Sequence, residues 1–209
     1  MRAGPRARRA EAKKARRKLL FLALPALFAF FLLALLLLRL YGAAAQHSAR
    51  IGGPFRLITG NGAIVTERSF PGKYKLIYFG YTSCPDVCPI ALADVAAALA
   101  RLGPRAARLQ AIFITVDPKR DTPPLMAKYV AQFSPAIVGL TGSPAEIAAV
   151  EKEYRVIATI APNLGGKPSY AIDHTAALYL MSPDGRFVAA FPAEESGAIL
   201  AAAIAKIVS

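Results

Sequence analysis

The sequence predicts an α/β domain carried behind a single membrane-crossing helix, and three observations predict it. Strand-like and helix-like hydrophobic patterns alternate from about residue 54 to residue 209. A run of 20 uncharged residues, Leu19 to Leu38, precedes them. Both cysteines of the chain, Cys84 and Cys88, fall in one turn between an apolar strand and an amphipathic helix.

The N-terminal elements come first. Residues 1–18 hold nine Lys or Arg against the single acid Glu11, so +8 of the formal charge of +13 sits there. The uncharged run after them is about 30 Å long as a helix, the thickness of a hydrocarbon core. Pro25 lies in its second turn, where a spanning helix accepts a kink. A basic block on the N-terminal side keeps that end in the cytoplasm. Residues 19–41 therefore read as an anchor, and residues 42–209 read as exported. A cleaved signal peptide is the alternative, with Ala43–Ala45 as small residues for a peptidase, but the apolar run exceeds the usual signal length. The basic block needs no nucleic acid to explain it. Residues 42–53 form a linker, and residues 54–209 suffice for one domain with a core.

Within that domain, Phe55–Ile58 and Ala63–Thr66 flank Asn61-Gly62, a hairpin signal. Lys75–Phe79 is a continuous apolar run of the kind buried on both faces of a sheet. A helix runs on from the cysteines to about Leu102, stopped by Gly103-Pro104. Gln110–Val116 is a second buried strand. A helix through Met126, Tyr129, Val130 and Phe133 and a short strand, Ile137–Leu140, come next. Ser143, Pro144 and Glu146 spell a capping box for the next helix. Arg155–Ile160 reads as a strand, Ala161–Pro168 as a Pro/Gly-rich loop, and Ala176–Met181 as a strand preceded by Asp173-His174-Thr175. Pro183-Asp184-Gly185 turns into Arg186–Phe191, and a last helix spans about Glu194 to Val208. This order describes a thioredoxin-like fold with an N-terminal β-hairpin. In that fold the cysteines occupy the N-terminus of the first long helix.

A helix N-terminus offers unpaired N–H groups and a positive dipole end, which favours thiolate over thiol. Cys-x-x-x-Cys spacing suits either two-point attachment to a soft metal or a redox disulfide, and by itself decides neither. As a structural staple it closes too small a loop to remove much unfolded-state entropy. His174 adds a third donor if its strand starts beside the cysteine helix, since His47 lies in the linker. Two thiolates and an imidazole suit Cu(I), or Cu(II) with a fourth ligand, whereas structural zinc takes four. Asp86 reads as a helix cap or a further metal contact. Asp117 reads as a group that orients a ligand or a lysine, or as a strand end, and Tyr81 and Tyr170 as walls of the site or as packing. The loop from Asp117 to Pro123 has no glycines to cradle a phosphate, which argues against a nucleotide site.

The run Gly80-Tyr81-Thr82-Ser83-Cys84-Pro85-Asp86-Val87-Cys88-Pro89, then Val116-Asp117-Pro118-Lys119-Arg120-Asp121-Thr122-Pro123, then Asp173-His174-Thr175 and Pro183-Asp184-Gly185, resembles the Sco/SenC family. These are membrane-anchored, thioredoxin-like copper proteins associated with cytochrome c oxidase assembly. The resemblance implies copper held by Cys84, Cys88 and His174 and delivered to the CuA site of oxidase subunit II, after loading by an upstream donor. It also implies a Cys84/Cys88 dithiol able to reduce the acceptor's cysteines. An exported thiol–disulfide oxidoreductase, needing the dithiol but not His174, is the competing reading. A peroxiredoxin-like peroxidase lacks the Thr and Arg that would polarise peroxide at Cys84. The short basic flank points to a bacterial inner membrane with the domain in the periplasm.

Overall fold

The computed structural model describes residues 30–39, 51–161 and 170–208. The basic N-terminus, most of the predicted anchor, His47 with most of the linker, and the Pro/Gly-rich loop lie outside the described residues. The chain divides into two units, residues 1–49 and 50–209. In the first, α1 (Phe30–Arg39) is the described part of the apolar run.

The second unit is built on a seven-stranded sheet. β1 (Arg56–Thr59) and β2 (Ile64–Thr66) form the expected antiparallel hairpin, with Gly62 at φ 82° in its turn. β3 (Tyr74–Gly80), β4 (Leu109–Thr115) and β5 (Ile137–Thr141) run parallel in the centre. β3 is buried at every position after Tyr74, which is why Leu76–Phe79 is apolar without alternation, while buried Lys75 donates its Nζ to the Glu67 and Pro183 carbonyls. β8 (Ala177–Met181) and β9 (Phe187–Pro192) continue the sheet antiparallel beyond β3. Across the sheet the order is β2-β1-β5-β4-β3-β8-β9. The core gathers Tyr78, Phe79, Phe113, Ile112, Leu92 and Leu178, each at most 2% exposed. Val87–Arg108 is apolar and long enough to cross a membrane by composition, but seven of its residues from Cys88 to Leu102 are buried in this core.

α2 (Val87–Leu102) packs along α5 (Gly197–Ala205), and α3 (Pro123–Ala131) lies against β1 and β5. α2 does not end the chain's helical path at Gly103-Pro104: a 3-10 helix, Gly103–Arg108, continues it, because Pro suits the first turn of a new helix. α4 (Pro144–Tyr154) opens with the predicted capping box, Ser143 Oγ accepting from Glu146 N–H at 3.3 Å and Glu146 Oε2 from Ser143 N–H at 2.8 Å.

One region departs from the sequence reading. Arg155 is not in a strand; it closes α4 in the left-handed conformation, φ 56°. The strand starts later, as β6 (Ala158–Ala161), and pairs antiparallel with β7 (Ala171–His174) in a separate two-stranded sheet. His174 thus precedes β8 as expected, but it also ends a strand of its own.

Candidate metal centre

The site lies at the carboxyl ends of the parallel strands. β3 ends at Gly80, the loop turns at Tyr81–Asp86, and α2 begins at Val87. Cys88 therefore enters on the first turn of α2, over the end of β3, while Cys84 stands in the loop, its N–H donating to the Tyr81 carbonyl at 3.2 Å. Cys88 is fully buried and Cys84 half-buried, and neither is in a disulfide. Close approach of Cys88 to the sheet depends on Gly80. A Cβ there would stand 2.8 Å from Cys88 Sγ and 2.8 Å from Phe113 Cε2. Gly80→Ala is accordingly expected to cost about 1–3 kcal/mol through overpacking, read from the urea denaturation midpoint. An unchanged midpoint would show that Cys88 yields without resistance.

His174 reaches the same place from β7. Its Nε2 lies 3.4 Å from Cys88 Sγ, and its Nδ1 lies 3.3 Å from the Thr175 carbonyl. A carbonyl only accepts, so Nδ1 carries the proton and Nε2 turns its lone pair toward the sulfurs. Burial lowers the pKa of the imidazole and favours this neutral form. Cys84 Sγ, Cys88 Sγ and a ring nitrogen of His174 all lie within 4.8 Å of one another. Donors around one soft ion stand about 3.5–4 Å apart, given bonds of about 2.0–2.3 Å, so modest closure brings all three into a single coordination shell. Among the described residues this group stops at three.

The expectation that the helix N-terminus favours thiolate meets a stronger opponent at Cys88. Burial pushes its thiol up to about 12, with the neighbouring Cys84 adding to the rise. In the metal-free protein burial holds Cys88 as the thiol. A metal ion reverses that balance, because a coordinating thiol is deprotonated outright. The Tyr78 hydroxyl, 3.7 Å from Cys88 Sγ, is likewise held protonated by burial.

Asp86 occupies the position before α2 but makes no capping hydrogen bond, and its exposed carboxylate stands outside the donor group. Tyr81 does wall the site, its ring edge-on to His174 at 5.8 Å between centroids. Tyr170 does not face the donors in that way: its hydroxyl donates to Asp117 Oδ1 at 2.7 Å. Asp117, 3% exposed, lies just past the end of β4 and pairs with Arg120 Nε as well as Tyr170, and orients neither a metal ligand nor a lysine among the described residues.

Sequence reasoning missed Asp121. Fully buried, it accepts from Thr82 N–H at 3.0 Å, Thr82 Oγ1 at 2.6 Å and Thr115 Oγ1 at 2.6 Å, while its carbonyl accepts from Thr141 Oγ1 at 2.9 Å. It ties the cysteine loop to the ends of β4 and β5. The signal that could have found it was threonine closing two otherwise apolar strands, at Thr115 and Thr141.

Comparison with known proteins agrees with this geometry. A family model described as SCO1/SenC matches residues 43–209. SenC of Rhodobacter capsulatus is 46% identical over 136 residues, covering 65% of this chain and 61% of that protein. Protein sco1 of Schizosaccharomyces pombe is 43% identical over 157 residues, covering 74% of this chain and 60% of that one. The chain thus spans less than two thirds of either relative. Among solved structures, Bradyrhizobium japonicum ScoI with copper bound shares 47% identity at a TM-score of 0.69, covering 76% of this chain and 99% of that one. Yeast Sco1 with copper bound shares 38% identity at 0.69, covering 76% and 88%. A fold, a three-donor cluster and a family match over residues 43–209 lead to one conclusion: this chain belongs to the SCO1/SenC family.

Proposed function

We propose that this chain is a membrane-anchored copper chaperone for cytochrome c oxidase assembly, holding copper through Cys84, Cys88 and His174. The observation that carries the reading is the convergence of two sulfurs and an imidazole nitrogen within 4.8 Å. Soft thiolates select Cu(I), which accepts three ligands. Copper is cargo here, and an open fourth position lets an acceptor thiol enter before the donor lets go. The acceptor is the CuA site of oxidase subunit II, and an upstream protein supplies the metal. Copper-bound relatives in Bradyrhizobium japonicum and yeast support the cargo, and family membership supports the oxidase.

Residues 19–41 form the anchor in this reading, with 1–18 in the cytoplasm, 42–53 as linker and 54–209 in the periplasm of a bacterium. α1 supports it: Phe30, Phe31, Leu36 and Leu38 are each more than half exposed, as side chains meant for lipid are.

A second reading, an exported thiol–disulfide oxidoreductase, draws on one observation: a half-exposed Cys84 beside a buried Cys88. Cys84 thiolate would attack an acceptor disulfide, releasing one acceptor thiol and forming a mixed disulfide. Cys88 would then displace the second thiol, leaving Cys84–Cys88 oxidised and the acceptor reduced by two electrons.

Anaerobic Cu(I) titration of the reduced full-length protein in detergent, against a competing chelator, separates the two. One copper per chain is expected, weakened beyond about 100-fold in His174→Ala, with dithiol exchange largely kept. Weak binding indifferent to His174 would leave the reductase.

A further inference from the structure

His174 is the donor whose strand lies outside the main sheet, although its ring meets Tyr78 of β3 edge-on at 6.1 Å. Cys88 rides on α2 inside the core, and Cys84 stands in the loop that joins β3 to α2. β7, by contrast, pairs only with β6 among the described strands. The start of β7 is held beside the cysteine loop by side chains of the 117–121 loop, with Arg120 at their centre. Arg120 Nε pairs with Asp117, and Nη1 donates to the Tyr170 carbonyl at 2.9 Å. The guanidinium lies 3.9 Å from the centroid of the Tyr170 ring and 5.6 Å from that of Tyr81. Tyr81 in turn accepts the Ile172 N–H on its hydroxyl at 3.3 Å and sets its ring edge-on to His174. Among the described residues Arg120 Nη2 is buried without a hydrogen-bond partner.

We propose that Arg120 is a positioning residue for the metal centre: sandwiched by Tyr170 and Tyr81, it seats β7 so that His174 Nε2 faces Cys88 Sγ. This rests on the reading of Cys84, Cys88 and His174 as the copper ligands. Arg120 touches none of the three sulfur or nitrogen donors. Its influence passes through the two tyrosines, as outer partners orient the ligands of metal sites generally. Lysine would keep the ion pair with Asp117 and lose the planar stack.

The test compares Arg120→Ala, Arg120→Lys, His174→Ala and the Arg120→Ala/His174→Ala double variant as full-length proteins in detergent. Cu(I) affinity is read by chelator competition. The Tyr81–His174 ring contact is read by NMR in the metal-free proteins. Arg120→Ala is expected to weaken Cu(I) by about tenfold and to lose the ring contact. The double variant should bind no more weakly than His174→Ala alone, because the two act through one ligand. Arg120→Lys should recover only part of the loss. Unchanged affinity in Arg120→Ala, or fully additive losses in the double variant, would overturn the proposal. If Arg120→Ala fails to fold, Tyr170→Leu, which removes one face of the sandwich, must show the same non-additive loss; wild-type affinity there overturns it equally. Should His174→Ala leave copper affinity unchanged, the copper reading is what fails. The ring contact in metal-free Arg120→Ala then still decides whether Arg120 seats His174.

Discussion

Asp121→Ala is expected to destabilise the domain by about 3–5 kcal/mol, more than any single exposed charge in it. The carboxylate satisfies a backbone N–H and two hydroxyls, from Thr82 and Thr115, in a fully buried position. Deleting it strands three donors at once, at about 1–3 kcal/mol each before the hydroxyls turn to other acceptors. Asp121→Asn should lose roughly half as much, since one amide oxygen still accepts while the NH2 group faces donors. The loss also frees Thr82, two residues before Cys84, so the cysteine loop should loosen with the core. Urea denaturation measures the first effect, and the Cu(I) affinity of variants that still fold measures the second. A loss below about 1 kcal/mol would mean that water replaces the carboxylate.

The two thiols should differ in reactivity by at least about 100-fold in the reduced, metal-free protein. Cys84 is half-buried in a loop, whereas Cys88 is closed in beneath it with its pKa pushed up to about 12 by burial. At neutral pH burial keeps the Cys88 thiol protonated. Iodoacetamide should therefore alkylate Cys84 alone in the native state and both in denaturant, as peptide mass spectrometry would show. The rate at Cys88 should climb about tenfold per pH unit toward 12. Stability carries the same signature. Below the ordinary thiol value of 9.0 both folded and unfolded chains keep this proton and the fold loses nothing. Between 9.0 and about 12 the unfolded chain ionises first, so the fold weakens as pH rises. Equal native-state rates at the two cysteines would contradict this account.

How much of the fold and the site was legible in the sequence depended on how local each cause was. β3 and β4 could be read because burial on both faces leaves the apolar runs Leu76–Phe79 and Ala111–Ile114. The capping box at Ser143 could be read because its partners are three residues apart. The cysteines could be placed at a helix start because the strand, the turn and the helix are adjacent. His174 was identifiable as a donor by residue type, but its own strand was not, since β6 and β7 are four residues each and separated by a Pro/Gly-rich stretch. Arg120 and Asp121 were hidden for a different reason. Their partners, Tyr170 and Thr82, lie 50 and 39 residues away, and a Pro-rich loop gives no periodicity to follow.

The separation of β7 from the main sheet carries a consequence for folding units. Cys88 belongs to the part that should open only with global unfolding, Cys84 to the loop beside it, and His174 to a hairpin whose described strand pairing is its own. An ion shared among them joins a stable unit to a less stable one. Bound cargo would then raise the hairpin's protection against hydrogen exchange more than that of the β3 amides, by an increment set by free copper relative to its dissociation constant. Surrendering the ion would return that hairpin to its own lower stability. The loaded and empty forms would differ to a docking partner in the local cooperativity of one edge, with the fold of the rest unchanged.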